Sequence, residues 1–326
     1  MYHFFFAALV MGTIQPVLAA DQPPLVLEAT IPLARVQGRI DHLAADVPRK
    51  RLIVAELGNG TVDVIDLAAG KPIHRFTGFD EPQGVGYLVS RDAIAVASGG
   101  DGSVRLFRAA DFAAIGRIEL GSDADNVRID RHGRLLVGYG AGGLAVFDKT
   151  GALLARIPLK AHPESFRAAP GSDRAYVNVP DAHEIAVVDL AAGRQVASWS
   201  LGAVRANFPM ALDADGGRVI VATRDPPRLV ALAIATGEIE SQIAICGDAD
   251  DVFFDAKRTR IYVSCGEGAV DVVESGDRLL HRFARIPTGQ GARTSLFVPA
   301  FDRLYVAKRA GLLDPDAAIL VLRPTP

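Results

Sequence analysis

The amino-acid sequence predicts an all-β fold, a seven-bladed β-propeller built from four-stranded antiparallel blades. A short apolar phrase occurs seven times, and its central valines stand 40 to 44 residues apart, at Val54, Val96, Val137, Val177, Val221, Val263 and Val306. A period of this length, with several strands in each unit, is typical of propellers. Glycine-containing turns separate the apolar runs within the repeats, as expected for successive antiparallel strands.

The first repeat shows how one blade is built. Four runs predict four strands, from the inner to the outer edge of the blade, at residues 41–46, 51–57, 61–67 and 73–76. Asn59 and Gly60 stand between two alternating apolar runs, and both residue types adopt the positive φ that a tight hairpin turn requires. The same order of runs and turns in the later repeats predicts one blade from each.

The run at residues 25–33 precedes the first repeat and has the pattern of an outer strand. The repeats supply six complete outer strands, and the seventh repeat ends at Leu322 without one of its own. The edge of an open ring would be exposed to aggregation. We therefore expect the N-terminal strand to pair with the last blade and close the ring.

Residues 1–20 predict a signal peptide, which leaves residues 21–326 as one propeller domain. The segment contains no Asp, Glu, Lys or Arg, its apolar run over residues 4–11 is too short to span a membrane, and Ala19 suits a signal peptidase. His3 stands where basic residues are usual, so an upstream start, an atypical signal and a buried N-terminal strand remain as alternatives. The expected location is the periplasm or the exterior, with no membrane span after signal removal.

Cys246 and Cys265 are the two cysteines of the chain, and the sequence predicts a disulfide between them. Cys246 precedes the first strand of the sixth repeat, and Cys265 ends its second strand. Antiparallel pairing brings both to one end of the blade, and an oxidising compartment favours the bond. Two separate buried thiols are the alternative, whereas a thiolate metal site would need further cysteines.

The net charge of −3 argues against strong attraction to nucleic acid or to an anionic membrane surface. Basic residues at the turns between first and second strands predict a solvated surface, made of Arg49, Lys50, Arg51, Arg131, Arg134, Lys257, Arg258 and Arg260. Aromatic residues are too sparse among them for a stacking platform on single strands. The sequence therefore disfavours nucleic acid as a partner.

Polar residues interrupt the repeat in the segments that lead into the inner strands, and these segments surround one mouth of the central channel. A purely structural position would tend to carry the same residue in every repeat, so divergence indicates a ligand site. The candidate ligand-binding residues are Arg39, Asp41, His42, Asp125, Asn126, His162, Glu164, Asn207, Asp250, Asp251 and Arg293. Each carboxylate or amide could instead cap a turn.

Carboxylates in these segments also suggest a metal site. The candidate metal ligands are Asp125, Glu164, Asp250 and Asp251. Hard cations such as Ca²⁺ or Mg²⁺ take oxygen ligands of this kind, while a transition metal prefers more than one imidazole. His42 and His162 are the candidates for a general base if the protein is an enzyme.

Several phrases of the sequence resemble the YVTN-repeat, YncE-like seven-bladed propellers of bacterial cell envelopes. The repeated YV pairs and TVDVIDLAAG at residues 61–70 carry the general resemblance. SDADN at 122–126, AHPESF at 161–166, NFPMALD at 207–213 and GDADDVFFD at 247–255 resemble an exported subgroup without an assigned activity. The resemblance implies a single-domain propeller outside the cytoplasm, and it implies no reaction.

The sequence is therefore interpreted as an exported binding or interaction module with a polar ligand site at the channel mouth. The expected partner of the monomer is a small polar ligand or a protein, and the cofactor it suggests is a divalent cation. A metal-dependent lactonase- or lyase-type enzyme that uses the same mouth is the alternative. Nucleic-acid binding through the basic opposite face is a weaker alternative.

Overall fold

The computed structural model describes residue 1, residues 22–311 and residues 315–326. The predicted signal peptide, residues 1–20, lies outside these described residues except for Met1. The described residues form seven four-stranded antiparallel sheets, each with the strand order of a propeller blade. The predicted seven-bladed all-β fold is confirmed.

In six blades the strands occur in chain order from the inner to the outer edge, and in the last blade β1 (Leu25–Pro32) is the outermost strand. In the sequence, β1 precedes the first blade. The first three blades contain β2 (Leu43–Asp46), β3 (Arg51–Glu56), β4 (Thr61–Asp66), β5 (Lys71–Phe76), β6 (Pro82–Leu88), β7 (Ala93–Ser98), β8 (Ser103–Arg108), β9 (Ala114–Glu119), β10 (Ala124–Ile129), β11 (Leu135–Tyr139), β12 (Gly143–Phe147) and β13 (Leu153–Pro158). The next three contain β14 (Phe166–Ala168), β15 (Arg174–Val179), β16 (Glu184–Asp189), β17 (Arg194–Ser200), β18 (Arg205–Asp213), β19 (Arg218–Asp225), β20 (Pro227–Ala233), β21 (Ile239–Ala244), β22 (Ala249–Asp255), β23 (Arg260–Cys265), β24 (Ala269–Glu274) and β25 (His281–Pro287). The last blade contains β26 (Thr294–Val298), β27 (Arg303–Lys308) and β28 (Ala318–Pro324).

Helical structure in the described residues is limited to single turns. Short 3-10 helices occur at Leu57–Asn59, Val89–Arg91, Pro180–Ala182 and Gly276–Arg278. The first of them corrects the predicted two-residue hairpin, because Asn59 is part of the 3-10 turn and only Gly60 has a positive φ, of 65°. Across residues 22–311 and 315–326, no helix has the length and apolarity needed to cross a membrane.

The hydrophobic core lies between the blades. All seven central valines of the repeat are fully buried. Seven clusters of buried residues surround the axis, and each cluster joins two neighbouring sheets. Packing therefore continues around the ring, and each blade depends on its two neighbours for burial.

The N-terminal strand closes the ring as expected. β1 pairs antiparallel with β28, from Leu25 opposite Pro324 to Pro32 opposite Ala318. The side chains of Leu25 and Ile31 are buried in the clusters on either side of the last blade. The last blade is thus completed by the first strand of the chain.

The predicted disulfide between Cys246 and Cys265 is confirmed, with a sulfur–sulfur distance of 2.01 Å. Cys246 lies before β22 and Cys265 ends β23, so both stand at the same end of the sixth blade. Both residues are fully buried in the cluster between the fifth and sixth blades.

Four of the basic residues opposite the mouth, Arg49, Arg134, Lys257 and Arg258, pair with carboxylates. Arg49 contacts Asp92 in the next blade at 2.6 Å, and also Asp46 in its own blade. Arg134 and Arg258 make the same kind of link, to Asp173 at 2.8 Å and to Asp302 at 2.7 Å. These ion pairs join successive blades and reduce the positive potential that nucleic-acid binding would need.

Candidate functional site

The backbone is irregular where the chain enters four of the inner strands. Glu81, Asp123, Ala206 and Asp248 adopt positive φ, between 41° and 59°. The strand that follows each of them shifts register against its partner, at the start of β6, β10, β18 and β22. A bulge of this kind bends the strand and redirects side chains. It turns the polar residues of these segments toward the channel mouth.

Gly84 in β6 allows the mouth to assemble closely. A Cβ atom at this position would lie 2.0 Å from the backbone oxygen of Asp125, which no side chain could tolerate. The glycine therefore lets the bulged start of β10 approach β6. This close approach fixes the backbone that carries the Asp125 carboxylate.

Asp125, His162 and Glu164 converge at the mouth. Each offers one ligand atom, and these atoms lie within 4.8 Å of one another. The Nε2 atom of His162 is 3.6 Å from Oδ2 of Asp125. The Nδ1 atom of the same ring is 2.6 Å from the backbone oxygen of Gly140. A carbonyl oxygen can only accept, so Nδ1 carries a proton, and Nε2, which faces Asp125, carries the second proton while the ring is charged.

The Asp125 side chain is nearly buried, with 7% of the residue exposed, yet it is not fully satisfied. Its Oδ2 atom accepts a hydrogen bond of 3.3 Å from Nδ2 of Asn126. Its Oδ1 atom has no hydrogen-bond partner among the described residues. The Nε2 atom of His42 lies 3.9 Å from Oδ1. A buried carboxylate oxygen without a donor is costly, and a cation would satisfy it.

Protons occupy this cluster at neutral pH. Burial and the charge of Asp125 raise the pKa of Glu164 to about 8, although His162 acts in the opposite direction. Burial alone would lower the pKa of His162, but the hydrogen bonds with Asp125 and Gly140 raise it to about 9. Burial would raise the pKa of Asp125, but His162, His42 and Arg39 hold it below its usual value. Cation binding would therefore release protons.

A pH dependence of stability follows from these shifts. His162 and Glu164, together with Asp251, whose pKa burial raises to about 7, bind protons more tightly when folded than when unfolded. The free energy of unfolding should therefore fall as the pH rises from 6.5 to 8. His42, whose pKa burial lowers to about 4, opposes this trend below pH 6.5, and Arg167 opposes it above pH 8.

Urea unfolding of the chelator-treated protein at pH 6.5, 7.2 and 8.0 measures this slope. A variant with His162→Asn should show a smaller fall over the same range. A free energy of unfolding that rises with pH would contradict the protonation states assigned to the cluster.

Asp250 belongs to a separate ion-pair group at the mouth. Nε of Arg293 lies 3.0 Å from Oδ2 of Asp250, and Nη1 of Arg293 lies 3.0 Å from Oδ1 of Asp248. Arg224 contacts both carboxylates and stacks over the ring of Phe208, with its guanidinium carbon 3.9 Å from the ring centre. Asp250 is neutralised here and does not join the cluster of Asp125, His162 and Glu164.

The remaining candidate residues lie outside the cluster of Asp125, His162 and Glu164. Arg39 is partly exposed at the mouth and lies 3.1 Å from Asp41, a buried carboxyl whose pKa burial raises well above its usual value. Nδ2 of Asn207 donates to Oδ1 of Asn178 and to the backbone oxygen of Glu184, so Asn207 ties two blades together.

Asp251 faces the channel, where Oδ2 accepts a hydrogen bond of 2.8 Å from the backbone N–H of Ser295. Three charged residues near the site were not predicted from the sequence. Arg224 lies near the end of β19, a second strand, and therefore outside the segments before inner strands to which the predicted site was confined. Arg128 and Arg167 lie within inner strands and face the channel. The signal was present, since the equivalent positions of the other repeats carry no charged residue.

Comparison with known proteins identifies the class and not a relative. No protein-family model matches the chain, and no curated protein sequence matches it significantly. A chain of the Kuenenia stuttgartiensis hydrazine synthase is similar in structure, with a TM-score of 0.72 and 15% identity over 95% of this chain and 99% of that chain. A chain in the crystal structure of a mitotic checkpoint complex has a TM-score of 0.79 and 12% identity over 99% of both chains.

At these identities the similarity concerns the fold alone. The chain is a seven-bladed β-propeller. The fold itself selects no activity, so function has to be argued from the site.

Proposed function

We propose that this protein is an exported, YncE-like binding module that acts as a monomer and holds a divalent cation, and through it a polar ligand, at the channel mouth. The observation that carries the proposal is the convergence of Asp125, His162 and Glu164 around a buried carboxylate oxygen without a donor. Export is supported by residues 1–20 and by the disulfide, because disulfides persist in oxidising compartments.

The donor set suggests which cations to test. Asp125 and Glu164 offer oxygen atoms, which Ca²⁺ and Mg²⁺ prefer. Nε2 of His162 adds one imidazole, which also suits Mn²⁺ or Zn²⁺. The contact between Nδ1 of His162 and the Gly140 carbonyl would orient the ring for such a ligand. Arg39, exposed at the rim, is placed to meet an anionic part of the polar ligand.

The enzyme alternative has one observation in its favour, because His42 borders both the cluster and the channel cavity. A general base works best when its pKa lies near the working pH. The pKa of His42 is lowered to about 4 by burial, while that of His162 is raised to about 9. These pKa values therefore support binding better than acid–base catalysis near neutral pH.

Thermal unfolding with and without divalent ions tests the proposal. An ion at a hundred times its dissociation constant should raise the melting temperature of the wild type by about 5 °C, because it binds the folded state alone. Glu164→Gln keeps the shape of the side chain and removes a ligand charge, so it should lose most of the shift.

Glu81→Gln is the matched control, since Glu81 is an exposed carboxylate in another segment at the mouth. It should respond as the wild type does. If Ca²⁺, Mg²⁺, Mn²⁺ and Zn²⁺ all leave the wild type unchanged, or if Glu164→Gln responds equally, the mouth is a structural feature.

A further inference from the structure

One position on every inner strand forms a ring around the channel. In the antiparallel register, this position pairs with the residue before each central valine of the repeat. The seven members are Ala44, Gly86, Arg128, Arg167, Ala211, Phe253 and Leu296. Five of them are small or apolar. The two arginines occupy neighbouring blades and depart from that pattern.

The charges of these arginines are not neutralised by ion pairs. Nη1 of Arg128 donates to the backbone oxygen of Val127 at 2.8 Å. Nη1 of Arg167 donates to the backbone oxygen of Phe166 at 3.0 Å and to the Ser165 hydroxyl at 3.3 Å. Within the described residues, neither guanidinium has a carboxylate oxygen within salt-bridge distance, unlike the paired arginines on the opposite face of the ring.

Both guanidinium groups line a channel cavity of about 330 Å³. The only carboxylate in that lining is Asp251, which attracts both arginines but is held in place by the Ser295 N–H. Burial and the neighbouring charge of Arg128 lower the pKa of Arg167 to about 9. Two like charges therefore face one cavity with at most one negative charge to balance them.

We propose that this cavity binds a small molecule bearing an oxyanion, a carboxylate or a phosphate, held between Arg128 and Arg167. The planar guanidinium group matches both oxyanions with two parallel hydrogen bonds. The apolar members of the ring, Phe253 and Leu296, offer contact to the rest of a compact ligand. The cavity volume lies at the lower end of the range for small-molecule sites. The inference does not depend on the cation at the mouth.

Calorimetric titration of inorganic phosphate and of malonate into the purified, chelator-treated protein tests the inference, with chloride at the same ionic strength as the blank. At least one anion should bind the wild type. Arg128→Gln and Arg167→Gln should each weaken that binding by about tenfold to a hundredfold, because each loses a charged hydrogen-bond pair. Binding of phosphate alone or malonate alone would identify the source of the oxyanion.

Two controls separate this site from other causes. Arg194→Gln removes an exposed arginine on the outer strand β17 and should bind as the wild type does. Glu81→Gln removes an exposed carboxylate at the mouth and should also bind normally, which separates this site from a general effect of charge at the mouth. Without anions, Arg167→Gln should melt no lower than the wild type, since it removes a half-buried charge that has no ion-pair partner among the described residues. Absence of anion binding, or equal binding by the arginine variants, would overturn the proposal.

Discussion

Deletion of residues 22–33, which contain β1, is expected to unfold the protein or drive it to aggregate. The deletion removes the buried side chains of Leu25 and Ile31 and every backbone hydrogen bond between β1 and β28. Truncating two large buried apolar residues alone costs about 5 kcal/mol or more. β28 would then be an apolar, unpaired edge, which is a template for pairing with other chains.

Circular dichroism melts and size-exclusion chromatography measure the effect. A chain that lacks residues 2–21 but keeps β1 is the matched control and should retain the folded state. If the chain without β1 melts and elutes as the control does, then ring closure contributes little to stability.

Loss of the disulfide is expected to cost about 3 kcal/mol of stability. The bond closes a loop with a sequence separation of 19, and the chain-entropy relation gives roughly this value for a loop of that size. The two sulfurs also lie in the fully buried cluster between blades, so a polar replacement would add a penalty. Alanine replacements at Cys246 and Cys265 avoid that penalty and isolate the effect of the cross-link.

Urea unfolding of the wild type with and without dithiothreitol, beside the double alanine variant, provides the measurement. Reduction should destabilise the wild type to near the level of the variant, and it should leave the variant unchanged. Equal stability of oxidised wild type, reduced wild type and variant would show that the bond has no role in folding stability.

The ring could be predicted because each of its determinants is local. Seven valines at regular spacing, alternating apolar runs and glycine turns define strands, and antiparallel hairpins fix their neighbours. The place of residues 25–33 and the pairing of Cys246 with Cys265 followed from the same strand order. The prediction of the turn at Asn59 was less accurate, because a four-residue turn and a two-residue hairpin use the same residue types.

The composition of the candidate site was only partly predictable. The repeat pattern marked Asp125, Asp250 and Glu164 as departures, but it could not show that Asp250 meets Arg224 from the second strand of the preceding blade. That contact depends on the bulges at the strand starts, which shift side chains by one position. Arg128 and Arg167 stand at a position that carries small or apolar residues in the other five repeats, so the departure is visible in the sequence. Their approach to one shared cavity, however, could be seen only in the three-dimensional ring.

The most direct test of the central claim is a crystal structure of the protein grown or soaked with Mn²⁺, with anomalous diffraction measured. The account predicts an anomalous peak at the channel mouth, with Asp125, Glu164 and Nε2 of His162 within bonding distance of the ion, and no such peak in Glu164→Gln. A wild-type crystal with the mouth fully ordered and no peak there, or a peak bound elsewhere, would contradict it.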